Sequence, residues 1–143
     1  MTPRFDVAIN APFQSGGGGL VGTAMDYLRF TQMLLDGGTF NGVRLLSPRT
    51  VAYMTADHLG GLPGQDPGMG FGLGFQVRKE AGVAGLPGSV GEYGWAGNAG
   101  TIFWVDPKEK LIAIYLIQVS DADRVFLRNQ FRTLVSQAIV TLQ

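Results

Sequence analysis

The 143-residue chain contains no cysteine. Disulfides and thiolate metal sites are therefore excluded, and the redox compartment is left open. Charge is scarce, at 15% of residues, and eleven acidic side chains cancel eleven basic ones. Such a chain has no positive field with which to hold a nucleic acid or an anionic membrane, so neither is expected as a partner. No uninterrupted apolar run reaches the roughly 18 residues of a membrane-spanning helix. The first residues, Met1-Thr2-Pro3-Arg4-Phe5-Asp6, lack the apolar stretch of a signal peptide, which makes a cytoplasmic location the default expectation. Histidine occurs once, as His58 beside Asp57. A serine, histidine and aspartate triad would have to use it, yet no G-x-S-x-G elbow supplies the serine; Pro87-Gly88-Ser89-Val90-Gly91 fails at its first position. His58 reads instead as a surface or capping residue. No group of His, Asp and Glu has metal-ligand spacing, so neither a metal nor another cofactor is expected.

What the chain does have is hydrophobic content of 45%, enough for a core, and 22 glycines, about twice the usual share. At this length one domain is expected, burying about two thirds of its unfolded surface. Residues 1–15 lack periodicity and read as an extended lead-in; residues 16–143 read as a single domain. Thr23 with Asp26 three residues on is a helix N-cap, and Ala24, Tyr27, Leu28, Thr31, Leu34 and Leu35 follow at helical spacing up to Gly37-Gly38. Gly17, Gly19 and Gly22 formally satisfy G-x-G-x-x-G. A dinucleotide site would need an apolar strand just before them, and Ala11-Pro12-Phe13-Gln14-Ser15 is not one, so the cluster reads as a turn.

Asn41-Gly42 marks a tight turn, and Ser47-Pro48 opens a second, short helix running to about Thr55. Residues 59–70 read as a Gly/Pro loop. Phe71, Leu73, Phe75 and Val77 then alternate with Gly72, Gly74, Gln76 and Arg78, the pattern of one strand, with the glycines admitting a close neighbour on the other face. Leu111 to Ile117 is apolar on both faces, as in a central, covered strand, and Asp106-Pro107-Lys108-Glu109 turns it antiparallel to Thr101–Val105. Ser120 can cap a final helix whose stripe is Leu127, Phe131, Leu134, Val135, Ala138, Ile139 and Leu142, and which should lie on the sheet. The fold class is α+β, an antiparallel sheet with helices packed on it.

The segment around which this pattern is built is Tyr93-Gly94-Trp95-Ala96-Gly97-Asn98-Ala99-Gly100-Thr101. Its glycines strip side chains from one path of backbone while Tyr93, Trp95 and Trp104 stand around it, so another molecule can approach the main chain. A plain glycine-rich bend at the start of a strand would look the same in composition.

Four stretches in order decide between these. They are Gly17 to Phe30, Leu45-Leu46-Ser47-Pro48-Arg49-Thr50-Val51, Gly70-Phe71-Gly72-Leu73-Gly74-Phe75, and Gly94 to Thr101. Together they resemble the C-terminal part of the serine β-lactamase and penicillin-binding-protein fold, and within it most closely the family VIII carboxylesterases. In such relatives the Lys-Thr-Gly or His-Thr-Gly triplet of the site-lining strand is often Trp-Gly-Gly, and Trp95-Ala96-Gly97 matches it here. A lysine there meets the carboxylate of a β-lactam; an indole offers an apolar wall and one donor. The resemblance thus implies that Tyr93, Trp95, Ala96 and Gly97 bind a substrate, with neutral acyl esters favoured over anionic β-lactams. It also implies that the Asn98 backbone amide is an oxyanion-hole donor, worth on the order of 3 kcal/mol in the transition state. Ala96 departs from the pattern, and its methyl group narrows the approach.

The family's nucleophile lies in Ser-x-x-Lys, and no such motif is present: Lys79, Lys108 and Lys110 are preceded at that distance by Gln76, Val105 and Pro107. Two readings follow. In one, the chain is the C-terminal segment of a serine hydrolase and acts on a small acyl ester or β-lactam-like substrate once an N-terminal half supplies the serine. In the other, it is a non-catalytic truncated module that self-associates through an exposed sheet edge and binds or scaffolds. Both leave an edge for strand pairing, so a homo-oligomer is expected of the chain alone.

Overall fold

The computed structural model describes residues 16–17, 20–64, 66–119 and 121–141. The lead-in, Gly18, Gly19, the proposed cap Ser120 and Leu142 lie outside them. Helix α1 (Ala24–Leu35) begins at the capping box read from the sequence: Thr23 Oγ1 accepts the Asp26 N–H at 3.1 Å, and the Asp26 carboxylate accepts the Thr23 N–H at 3.3 Å. It ends at Gly37 and Gly38, with φ of 63° and 94°. A two-residue hairpin follows, β1 (Thr39–Phe40) and β2 (Val43–Arg44), turned by Asn41 and Gly42, both left-handed. In α2 (Pro48–Met54), Ser47 Oγ accepts the Thr50 N–H at 3.0 Å and proline occupies the first turn.

The main sheet is a meander of β3 (Met69–Phe71), β4 (Gln76–Arg78), β5 (Tyr93–Ala96), β6 (Ile102–Asp106) and β7 (Leu111–Tyr115). Its order in space is its order in sequence, antiparallel throughout. Helix α3 (Asp121–Gln137) closes the chain. Adjacent residues of β6 face opposite ways, and the two helices take one face each. Phe103 meets Tyr27 of α1 edge-on at 4.9 Å, within a core that includes Met33, Leu34, Phe75, Val77, Tyr93 and Val105. Val105 has no exposed surface, a burial worth about 2 kcal/mol. On the other face Trp104 meets Phe131 of α3 at 5.7 Å, and Phe131 stacks on Tyr115 at 4.5 Å.

Three expectations need correction. The alternating segment Phe71–Val77 is not one strand but the hairpin β3–β4, and its first strand includes Met69 and Gly70. The turn forms because the Gly72 N–H reaches the Phe75 carbonyl at 2.7 Å while the Leu73 N–H takes the Met54 carbonyl at 2.8 Å, an orphan acceptor at the end of α2. A Cβ on Gly72 would stand 2.2 Å from that carbonyl oxygen, so the close neighbour read from the glycines is there at Gly72, whereas Gly74 faces open space. Second, β7 is an edge: among the described residues it pairs only with β6. It is apolar on both sides because helices cover both sides, not because strands flank it. Third, α3 stops at Gln137, short of Ile139. Leu134 is exposed, and the half-buried positions include Arg124, Leu127, Arg128, Phe131, Arg132 and Val135, a stripe in which arginines alternate with apolar residues.

Candidate functional site

Strand β5 is paired along its whole length with β6, from Tyr93 opposite Val105 to Ala96 opposite Ile102. On its other side β4 reaches only Tyr93 and Gly94. The outer edge of Trp95-Ala96-Gly97 therefore has no strand beside it among the described residues. Trp95 stands at this opening, 37% exposed, with Phe71 set against it edge-on at 5.0 Å and 87°. Ala96 and Gly97 are half-buried and Asn98 is exposed. A groove of about 490 Å³ runs past Trp95, Ala96 and Gly97, its apolar wall formed by Tyr27, Phe30, Leu73, Trp95 and Leu116. All five of those side chains are exposed, an unusual concentration on one surface.

Tyr93 sits elsewhere. It is 3% exposed, edge-on to Phe75 at 5.4 Å, so its ring belongs to the core and only its backbone borders the opening. Burial pushes its hydroxyl up to about 12 from an ordinary 10. Because the folded value is the higher one, the neutral phenol's contribution to stability is intact below pH 10 and is lost as pH rises from 10 toward 12. Tyrosinate absorbance during alkaline titration should show a late, unfolding-linked component that shrinks in Tyr93→Phe, leaving the upward-shifted Tyr27; a Tyr93 titrating freely near 10 would contradict its burial.

Past β5 the backbone turns tightly. The Gly97 N–H donates to the Thr101 carbonyl at 2.9 Å and the Gly100 N–H to the Gly97 carbonyl at 3.1 Å. A Cβ on Gly97 would stand 2.3 Å from Thr101 Oγ1, so any larger residue there would displace that hydroxyl. The Asn98 N–H donates to no group among the described residues. Helix α3 holds the turn from behind. Arg124 Nη1 donates to the Asn98 carbonyl at 3.1 Å and to Asn98 Oδ1. Arg128 bridges two carbonyls, with Nε on that of Gly100 at 3.0 Å and Nη2 on that of Gly97. Burial, and then the neighbouring Arg124, lower the Arg128 pKa from the ordinary arginine value.

One turn further along α3, Arg132 enters a buried ion group. Glu92 Oε1 accepts from Arg132 Nη1 at 2.7 Å and from Arg78 Nε and Nη2, each at 2.9 Å. The Arg132 guanidinium carbon also lies 4.2 Å from the centre of the Trp104 ring. These arginines and Glu92 line a second groove, of about 860 Å³, between α3 and strands β4 and β5, which Trp95, Ala96, Gly97 and Asn98 also border. The sequence reading missed them, although Arg124, Arg128 and Arg132 recur every four residues and so share one helix face.

Several other reactive side chains are engaged away from the opening. Lys79 is paired with Asp57 at 2.8 Å. That contact, with the Leu59 and Phe71 amides, holds the Asp57 carboxyl down to about 2. His58 is exposed at the end of α2, its Nε2 2.7 Å from the Tyr53 carbonyl, the capping place expected of it. Ser47 caps α2, and Ser136 Oγ donates to the Arg132 carbonyl. Among the described residues no three His, Asp or Glu side chains gather as a metal site, and no helix is long and apolar enough to cross a membrane.

The chain is similar to longer proteins. Protein Rv1367c of Mycobacterium tuberculosis (strain ATCC 25618 / H37Rv) and Uncharacterized protein MT1414 of strain CDC 1551 / Oshkosh are each 42% identical to it over 118 residues. The match covers 74% of this chain and 29% of each relative, so the chain spans under a third of their length. Among solved structures, EstCE1, described as a hydrolase with promiscuous acyltransferase activity, superposes with a TM-score of 0.70 at 29% identity, over 88% of this chain and 33% of that one. Simvastatin Synthase (LovD) from Aspergillus terreus shares the fold, with a TM-score of 0.59 at 19% identity over 80% of this chain and 34% of that one. The model of the Beta-lactamase family matches residues 1–137. With three helices and a five-stranded antiparallel sheet in the same arrangement as these neighbours, the chain belongs to the beta-lactamase family.

Proposed function

We propose that the chain is the C-terminal portion of a β-lactamase-related serine hydrolase of the carboxylesterase type, and that it forms the receiving wall of the acyl pocket. The observation that carries this is the open outer edge of β5, where exposed Trp95 borders both the apolar groove and the larger groove that exposed Asn98 lines. In this reading the acyl group lies along Trp95, Ala96 and Gly97, and the carbonyl oxygen that gains charge is received by the Asn98 N–H. Trp95 supplies no cation for a substrate carboxylate, which favours a neutral ester over a β-lactam. The nucleophilic serine and its lysine come from sequence outside this chain. The hydrolase description of EstCE1 supports the assignment of reaction type.

The test uses a chromogenic short-chain ester and a chromogenic cephalosporin. The chain alone should turn over neither. Supplied with a segment carrying the relatives' Ser-x-x-Lys, it should hydrolyse the ester in preference to the cephalosporin, and Trp95→Ala should lower kcat/KM for the ester about tenfold or more. Serine-dependent hydrolysis by the chain alone would overturn this reading. A second reading, a non-catalytic module that self-associates, is favoured by the edge of β7 with Leu116 exposed beyond it. Sedimentation of the isolated chain as a dimer or larger species would support it, and a monodisperse monomer would count against it.

A further inference from the structure

The Asn98 amide is useful only if it points out of the sheet, and nothing in Asn98 itself decides that. The Gly97–Asn98 peptide is trans, as are all the others described, so its C=O and N–H point in opposite directions. Whatever holds the Gly97 carbonyl therefore aims the Asn98 N–H. Two donors hold it: the Gly100 N–H, from within the turn toward β6, and Arg128 Nη2, from the α3 side. The N–H is thereby directed away from both, toward the outer edge that β4 leaves open.

We infer that Arg128 is the positioning residue of the oxyanion hole, aiming the Asn98 N–H and polarising it by donating to the carbonyl of the same peptide. This rests on the reading of that amide as the oxyanion donor. Aiming follows from the two-carbonyl bridge: with Nε on Gly100 and Nη2 on Gly97, the planar guanidinium fixes both ends of the turn at once, which a single-point ammonium would not. Polarisation follows from charge. A cation bound to the carbonyl oxygen draws electron density through the amide and strengthens its N–H as a donor, and its positive potential acts in the same direction on an oxyanion bound opposite. Arg124 is not equivalent. It holds the Asn98 carbonyl, which belongs to the next peptide, and so steadies the turn without acting on the donor's own amide.

The experiment compares Arg128→Met, Arg128→Lys and Arg124→Met in two ways. In the isolated chain, the carbonyl carbon resonance of Gly97 reports its hydrogen bond directly. It should move in Arg128→Met, move less in Arg128→Lys, and stay in place in Arg124→Met, with resonances away from residues 97–101 and α3 unchanged as the control for folding. In the ester-hydrolysing assembly, Arg128→Met should lower kcat by about tenfold to a hundredfold with KM held within about twofold. Arg128→Lys should recover part of that loss. A Gly97 resonance unmoved by Arg128→Met, or a kcat reduced less than twofold in an active assembly, would overturn the inference. An assembly that never hydrolyses esters would sink the hydrolase reading instead, and the carbonyl resonance would then decide the aiming of the amide alone.

Discussion

Glu92→Gln should lower the melting temperature by roughly 10–20 °C, the largest drop of any polar substitution in this chain. Glu92 and Arg78 each show only 2% of their surface, and Arg132 is largely covered as well. Two cations thus share one anion away from water, at 2.7 and 2.9 Å. Burial lowers the Arg132 pKa, and the Glu92 carboxylate is the main influence opposing it. Removing that negative charge leaves two guanidiniums facing each other at low dielectric, and breaking a buried pair in this way costs about 3–5 kcal/mol. For a chain of this size each kcal/mol corresponds to roughly 3–4 °C. The double variant Glu92→Gln with Arg132→Met should be more stable than Glu92→Gln alone, because one of the stranded cations is gone. Thermal melts by circular dichroism decide it, and a loss under about 1 kcal/mol would mean that water already reaches this group.

Gly94→Ala should be nearly as damaging, through shape and not charge. A Cβ at Gly94 would stand 2.1 Å from the Phe103 carbonyl oxygen and 2.8 Å from the Trp104 Cα, both backbone atoms of β6. No rotamer relieves such a contact, so β5 and β6 must move apart, at about 3 kcal/mol or more. Since Trp95 and Ala96 follow directly on β5, hydrolysis by the assembly should fall with stability. Gly61→Ala is the matched control: its φ is not left-handed and nothing lies within 4 Å, so its effect should stay within about 0.5 kcal/mol. Denaturant melts of the two variants make the comparison. Equal stability would show that the β5–β6 spacing has slack to admit a methyl group.

How much of this was legible depended on how far apart in sequence the partners lie. Thr23 with Asp26, Ser47 with Pro48, and Asn41 with Gly42 each encode a cap or turn within four residues, and all formed as read. The β6–β7 hairpin was legible for the same reason. Phe71 to Val77 misled because alternating apolar residues and glycines satisfy a strand; only the docking of Leu73 on the last turn of α2, many residues earlier, bends them into a hairpin. Edge and centre could not be told apart in β7, whose apolar faces answer to helices. At the candidate site, family resemblance pointed to Trp95, Asn98 and Tyr93 alike; the first two are exposed and Tyr93 faces inward, a difference the resemblance did not carry. What turns the Asn98 amide outward was invisible, because Arg128 lies 31 positions from the carbonyl it holds and occupies a slot where helix periodicity leads one to look for leucine.

The meander has a kinetic implication. Since every strand of the main sheet lies beside its neighbour in the chain, strand pairing itself needs only nearby sequence, and a more distant contact, Leu73 on the end of α2, sets the β3–β4 turn. The surface bearing Trp95 can thus zip together from contacts within residues 54–115, ahead of any meeting with another polypeptide.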